Sequence, residues 1–231
     1  MEKIDIDIIQ LHKQPSIDLQ SGQLVLGFKG RSVSNALVNT FRRLALGYVP
    51  TYAFTKDSIY IEENTSIYNN DRMRLRLSQI TYPDFNHKVL FLPEKYWKGV
   101  NYSDQKREKS PDDKDLVEIY INTINETTDI INVTTNDIKY YENGNEVSNK
   151  FSTKFPHLIV DLRPKQAFKM RAVAVLGIGL ANDIWAAAAN CFFEQDDNNN
   201  NNFKFTMESQ GQLTEYDIMI RSCVILKKKI E

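Results

Sequence analysis

Apolar and polar residues alternate along much of this chain. Leu24, Leu26 and Phe28 point one way from residues 23–28, and Ile59 and Ile61 do so just before Glu62. The spacing recurs in Val117, Ile119 and Ile121, in Leu158, Val160 and Leu162, and in Phe168, Met170, Ala172 and Ala174. Phe203, Phe205 and Met207 give one more run, with Lys204 and Thr206 facing outward. A period of two marks half-buried strands. Two segments change period. From about Ser32 to Tyr48, Val33, Ala36, Leu37, Phe41, Leu44, Ala45 and Tyr48 fall on one broad helical face. Ser32 or Ser34 can cap its start and Pro50 stops it. Its back carries Asn35, Asn39, Arg42 and Arg43, but also Leu46.

A second helix is expected from Thr214, with Asp217 three residues on as a capping partner. Tyr216, Met219, Ile220, Cys223, Leu226 and Ile230 form one face. Ile218 and Ile225 lie on the other side, beside Arg221 and Lys228. A surface helix does not need that second stripe. The pattern suggests burial on two sides, against its own sheet and against something else; a helix buried wholly within its own domain is the alternative. Lys227, Lys228 and Lys229 sit at the C-terminal end, where cations favour the helix dipole.

Residues 101–115 are almost wholly polar and read as a surface loop. Asn143-Gly144 between β-prone segments signals a tight turn. Residues 195–202 hold five consecutive asparagines and are expected to be an expanded loop.

At 231 residues the chain can bury a real core without staples. Lys plus Arg is 29 against Asp plus Glu 30, a net charge of -1, which excludes a basic nucleic-acid footprint over the whole chain. No apolar run approaches membrane-spanning length, and residues 1–10 have no signal-peptide core, so an intracellular soluble protein is expected. Cys191 and Cys223 are the only cysteines and are expected to be small buried hydrophobes. They cannot build a Cys-only metal site, and His12, His87 and His157 are scattered.

No catalytic constellation emerges. Gly177 and Gly179 form a GxG without the third glycine of a dinucleotide signature. Asp112, Asp113 and Asp115 lie in the charged loop beside Lys114. Arg72, Arg74 and Arg76 are the densest basic cluster; in a helix Arg72 and Arg76 share a face while Met73 and Leu77 anchor the other. Ion pairing with a partner is favoured there over phosphate binding.

The order of these elements resembles a known family. The run from Ser34-Asn35-Ala36-Leu37 through Phe41-Arg42-Arg43-Leu44-Ala45-Leu46 to Val49-Pro50-Thr51 resembles the "NALRR-x-L…VPT" helix of RNA polymerase assembly subunits. That family includes the bacterial alpha N-terminal domain, the archaeal D subunit and the third subunit of eukaryotic RNA polymerase II. Ile59 to Ser66, with Asn64-Thr65-Ser66, is similar to its "V-x-I…NTS" strand and turn. Asp71 and Arg76-Leu77-Ser78-Gln79-Ile80 stand where the family has an acidic residue and "RLGLIP", with Ser78 in place of glycine. Val133 to Ile138 resembles "VYSxDL", Leu158 to Phe168 resembles "I-x-x-LRxGQ", and residues 172–188 resemble the "A-x-KGxGxxHAKWxPAAA" region. Phe205 to Gly211 resembles "F-x-VESxG" before the closing helix.

The resemblance implies an α+β, two-domain fold like the alpha N-terminal domain. Residues 1–48 and 187–231 would form a discontinuous dimerisation domain, and residues 49–186 an inserted β-rich domain. It implies a non-catalytic assembly subunit of a DNA-directed RNA polymerase. Its partners would be a small subunit of related fold (separate or fused), the largest and second-largest subunits, and a small zinc-binding subunit. Little or no DNA contact, no cofactor, no metal site and no membrane contact are expected. Phe41, Leu44, Leu46, Ile218 and Ile225 are the expected dimer contacts. Asn35, Arg42, Arg43, Asn64, Thr65, Ser66 and Arg76 are the expected large-subunit or structural residues. Fused forms occur in large DNA viruses, and the compact, AT-rich-codon composition suggests a viral source. That would place the protein in a virion or cytoplasmic factory, otherwise in the nucleus. An independent dimeric scaffold outside transcription is the alternative; a small-molecule enzyme built on Gly177 and Gly179 is another class.

Overall fold

The computed structural model describes residues 4–15, 22–104 and 107–231. In chain order the strands are β1 (Asp7–Gln14), β2 (Gln23–Lys29), β3 (Pro50–Ala53), β4 (Ile59–Asn64), β5 (Val117–Ile124), β6 (Ile131–Thr134), β7 (Lys139–Glu142), β8 (Asn145–Val147), β9 (Leu158–Leu162), β10 (Ala167–Val173), β11 (Val175–Ile178), β12 (Ala188–Asp196) and β13 (Asn199–Ser209). The helices are α1 (Asn35–Gly47), α2 (Asn70–Ser78) and α3 (Glu215–Ile230). The fold is α+β and divides into two compact units, one of Met1–Thr51, Asp84–Trp97 and Gly177–Glu231, the other of Tyr52–Pro83 and Lys98–Leu176.

The terminal unit is built on an antiparallel sheet in the order β1-β2-β13-β12. Its register sets Leu24 opposite Met207, Leu26 opposite Phe205 and Phe28 opposite Phe203. These side chains face α1 and α3. Phe28 lies 5.7 Å from the rings of both Phe41 and Phe205. The two helices complete this core with Val38, Phe41, Leu44, Ala45, Ile218, Met219 and Ile225.

Both helices start at side-chain caps. The Ser34 hydroxyl accepts from the Leu37 amide at 3.3 Å, and Thr214 accepts from the Asp217 amide at 3.2 Å. Residues 177–186 and Asp84–Trp97, expected in the inserted domain, belong to the terminal unit. The physical reason is visible for both. The Asp84 and Phe85 amides donate to the carbonyls of Gly211 and Gln212, each at 3.0 Å. A Cβ on Gly177 would lie 2.4 Å from the Trp185 ring, and one on Gly179 would lie 2.5 Å from the Leu46 carbonyl oxygen. The GxG is therefore a packing feature, with indole stacked on one glycine and the end of α1 on the other.

The inserted unit carries an antiparallel sheet in the order β4-β10-β5-β7-β8 and a β6–β9 ribbon. Val117, Ile119, Ile121, Phe168, Met170 and Ala172 fill its core, joined by Met73 and Leu77 of α2. Asn143 and Gly144 both take positive φ in the β7–β8 turn, the conformation the Asn-Gly pair was expected to supply.

Two expectations change. The asparagine run is not a loop: a tight turn at Asp197-Asn198 lets Asn199–Ser209 form one long strand, β13. The Asn201 side-chain amide donates to the carbonyls of Arg31 and Val33, so the run has partners of its own. Cys191 is buried as expected, but Cys223 is exposed.

Candidate partner interface

α3 presents two distinct faces. Inward are Ile218, Met219, Ser222 and Ile225, all buried, together with Arg221. Glu215, Arg221 and Ser222 are the polar residues buried on this side, and the last two meet partners within the chain. The Ser222 hydroxyl donates to the Ile218 carbonyl at 2.8 Å. The Arg221 guanidinium donates to the carbonyls of Val89 and His87, each at 2.5 Å, and to Asn86 Oδ1 at 3.0 Å. Arg221 thereby ties the Asp84–Trp97 segment to the helix. Beside it, the His87 imidazole is pushed down to about 3, chiefly by burial and secondarily by the Arg221 charge. His87 Nε2 lies 3.0 Å from the Pro50 carbonyl and so donates to it.

Outward on α3 are Tyr216, 37% exposed, Ile220, 59% exposed, Cys223 and Ile230, 77% exposed. Their spacing, 216, 220, 223 and 230, keeps them on one side of the helix. β1 continues this surface: the Tyr216 hydroxyl bonds to the Gln10 side chain, and the Lys13 ammonium lies 4.0 Å from the Tyr216 ring centroid. Ile8 of the same strand is also exposed. The result is an apolar strip with a polar margin.

This reverses the expected polarity of α3. Ile218 and Ile225 were expected to face a partner, and both are fully buried in the chain's own core. Phe41 and Leu44 are buried in the same core, and Leu46 packs against it half-buried. Four of the five are thus buried within the chain's own core, and Leu46 alone keeps part of its side chain exposed. Tyr216, Ile220, Cys223 and Ile230 were expected on the core side and are the exposed ones; of that group only Met219 is buried. The available signal was the helical series 215, 218, 219, 222, 225, with a serine at its centre that a purely apolar stripe does not contain.

The other expected residues fall into three places. Asn35 is exposed at the start of α1. Arg42 Nε donates to Asn39 Oδ1 at 3.0 Å, and its charge opposes the burial that pushes the Cys191 thiol up to about 12. Arg43 is exposed and lines a small notch of about 150 Å³ with Thr40, Leu44, Tyr48 and Lys229; the Lys229 ammonium lies 4.2 Å from the Tyr48 ring centroid.

Asn64, Thr65 and Ser66 close the end of β4 on themselves. Asn64 Oδ1 accepts from the Ser66 amide at 3.1 Å and hydroxyl at 2.6 Å, while its amide donates to the Tyr68 carbonyl at 2.9 Å. Thr65 Oγ1 accepts from the Ala167 amide at 2.7 Å. Asn125 and Thr127 repeat this arrangement at the end of β5. These side chains fix strand ends, which is structural work. Arg76 Nη2 donates to the Leu158 carbonyl at 3.2 Å.

Among the described residues no group of acidic, histidine or cysteine side chains is placed to hold a metal ion, and no helix is long and apolar enough to cross a membrane. Comparison with known proteins adds two findings. Residues 27–230 match the sequence profile of the RNA polymerase Rpb3/Rpb11 dimerisation domain. A protein of Acanthamoeba polyphaga mimivirus, named as DNA-directed RNA polymerase subunit R470, is 29% identical over an alignment of 251 residues, covering 97% of this chain and 70% of that protein. With a sheet backed by two capped helices assembled from both chain ends, and a profile match over nearly its whole length, the chain belongs to the RNA polymerase Rpb3/Rpb11 dimerisation domain family.

Proposed function

We propose that the chain is a non-catalytic assembly subunit of a DNA-directed RNA polymerase. It pairs with a smaller subunit of related fold, and the pair holds the two large catalytic subunits. The observation that carries this reading is the outward strip of α3, Tyr216, Ile220, Cys223 and Ile230, on a helix whose other side is already filled by its own core. Exposed aromatic and aliphatic anchors flanked by polar residues are the composition of a subunit interface. The profile match to a dimerisation domain and the likeness to a viral polymerase subunit support this choice of partner.

The test is purification of the tagged chain from its native source, with mass spectrometry of what co-elutes. Two very large polymerase subunits and a small related one are expected. Ile220→Asp should lose the small subunit while the chain stays folded, because Ile220 touches solvent and not the core. Retention of that subunit at wild-type yield by the variant would place the dimer surface elsewhere. Recovery of a dimeric partner without large subunits would favour a scaffold outside transcription.

A further inference from the structure

α2 is anchored by Met73 and Leu77, both fully buried, and turns Arg72 and Leu75 outward with Arg76 half-buried beside them. Arg72 and Arg76 are one helical turn apart, and both guanidinium groups lie over the same ring, Tyr68, with carbons 5.2 Å and 5.4 Å from its centroid. Like charges at that spacing repel. Among the described residues neither meets a carboxylate: the helix's own acid, Asp71, pairs with Arg74 at 3.2 Å on a different face. Arg76 is further fixed by its bond to the Leu158 carbonyl. Leu75, 46% exposed, shares the side of α2 that carries Arg72 and Arg76, and Leu158, whose carbonyl Arg76 meets, is 48% exposed.

We infer that this face of α2 is a docking site for an acidic segment of a partner protein, one that brings carboxylates to Arg72 and Arg76 and an apolar side chain to Leu75 and Leu158. Two planar donors already oriented by a shared aromatic ring lose little freedom on meeting a carboxylate, and Arg pairs with carboxylates through two parallel bonds. The apolar border separates this from a phosphate track. Nucleic-acid binding without base contacts needs a row of cations following the backbone, whereas this face offers two cations set between leucines. The inference rests on the polymerase reading for its partner: the acidic segment belongs to one of the large subunits.

The experiment compares tagged wild-type chain, Arg72→Glu with Arg76→Glu, and Arg74→Glu, each purified from the native source with and without nuclease. Large-subunit recovery is measured relative to the small partner. Wild type and Arg74→Glu should recover the large subunits equally, with or without nuclease. The double reversal should lower their recovery about tenfold or more and leave the small partner in place. Full recovery by the double variant overturns the inference. Nuclease-sensitive recovery by wild type also overturns it, since the contact would then be to nucleic acid. Absence of large subunits from the wild-type sample overturns the polymerase reading, and this inference falls with it. If the double reversal lowers the thermal midpoint, Arg72→Gln with Arg76→Gln replaces it and the same loss is expected.

Discussion

His87 and Arg221 show how much a single buried polar group can set. With its imidazole held at about 3, against an ordinary value of 6.5, His87 is neutral when folded and binds a proton more readily when unfolded. The unfolded chain therefore carries more protons between those two values. Stability contributed by the neutral ring is complete above about pH 6.5 and is lost as pH falls toward 3, at up to about 1.4 kcal/mol per pH unit. Urea titrations across that window should show the slope, and His87→Gln should flatten it; an unchanged slope would mean that another group titrates. Gly177 makes a simpler case. A methyl group there meets the Trp185 ring at 2.4 Å, so Gly177→Ala should cost about 1–3 kcal/mol. The sequence shows that two glycines flank one residue; it does not show that Gly177 faces an indole eight residues on and Gly179 the end of α1.

Among the elements, β2, β4, β5, β9, β10, β13 and α1 were legible from the period of their apolar positions, whereas β3 and β11, buried at every position, carry no alternation to read. α3 was legible in extent and misread in direction. Its outer face is richer in large apolar residues than its inner one, and hydrophobic periodicity assigns the richer face to the core. Burial here instead follows shape and satisfaction. Ser222 is small enough to sit against the sheet and bonds back to its own turn, and Arg221 is accepted inside because three oxygens meet it. Ile225→Ala should therefore cost about 2–5 kcal/mol in the isolated chain, while Ile220→Ala should leave stability within about 0.5 kcal/mol. Arg221→Ala should orphan the carbonyls of Val89 and His87 at about 1–3 kcal/mol, and hydrogen exchange should rise first across residues 84–97. If those amides keep wild-type protection, Arg221 does not hold the segment.

At the scale of the whole molecule, the two proposed surfaces differ in physical character. The α3 strip is mainly apolar, and its association should depend weakly on salt. The α2 face works through two arginines, and its association should weaken as ions screen them, the screening length falling from about 10 Å at 0.1 M to about 3 Å at 1 M. Washing the immobilised assembly with rising sodium chloride should release the large-subunit contact first and keep the small subunit bound. Cys223 provides an independent reading of the same state, because its thiol lies on the α3 strip and is exposed. A maleimide should label Cys223 in the isolated chain, leave buried Cys191 unlabelled until denaturation, and be slowed at Cys223 once the small subunit is present. Protection of Cys223 that survives the high-salt wash would tie the apolar strip to the small subunit. Labelling at the free-chain rate in the assembly would show that the strip is uncovered there. Release of both partners at one salt concentration would show that a single electrostatic contact holds them together, and the division of labour between α2 and α3 would have to be abandoned.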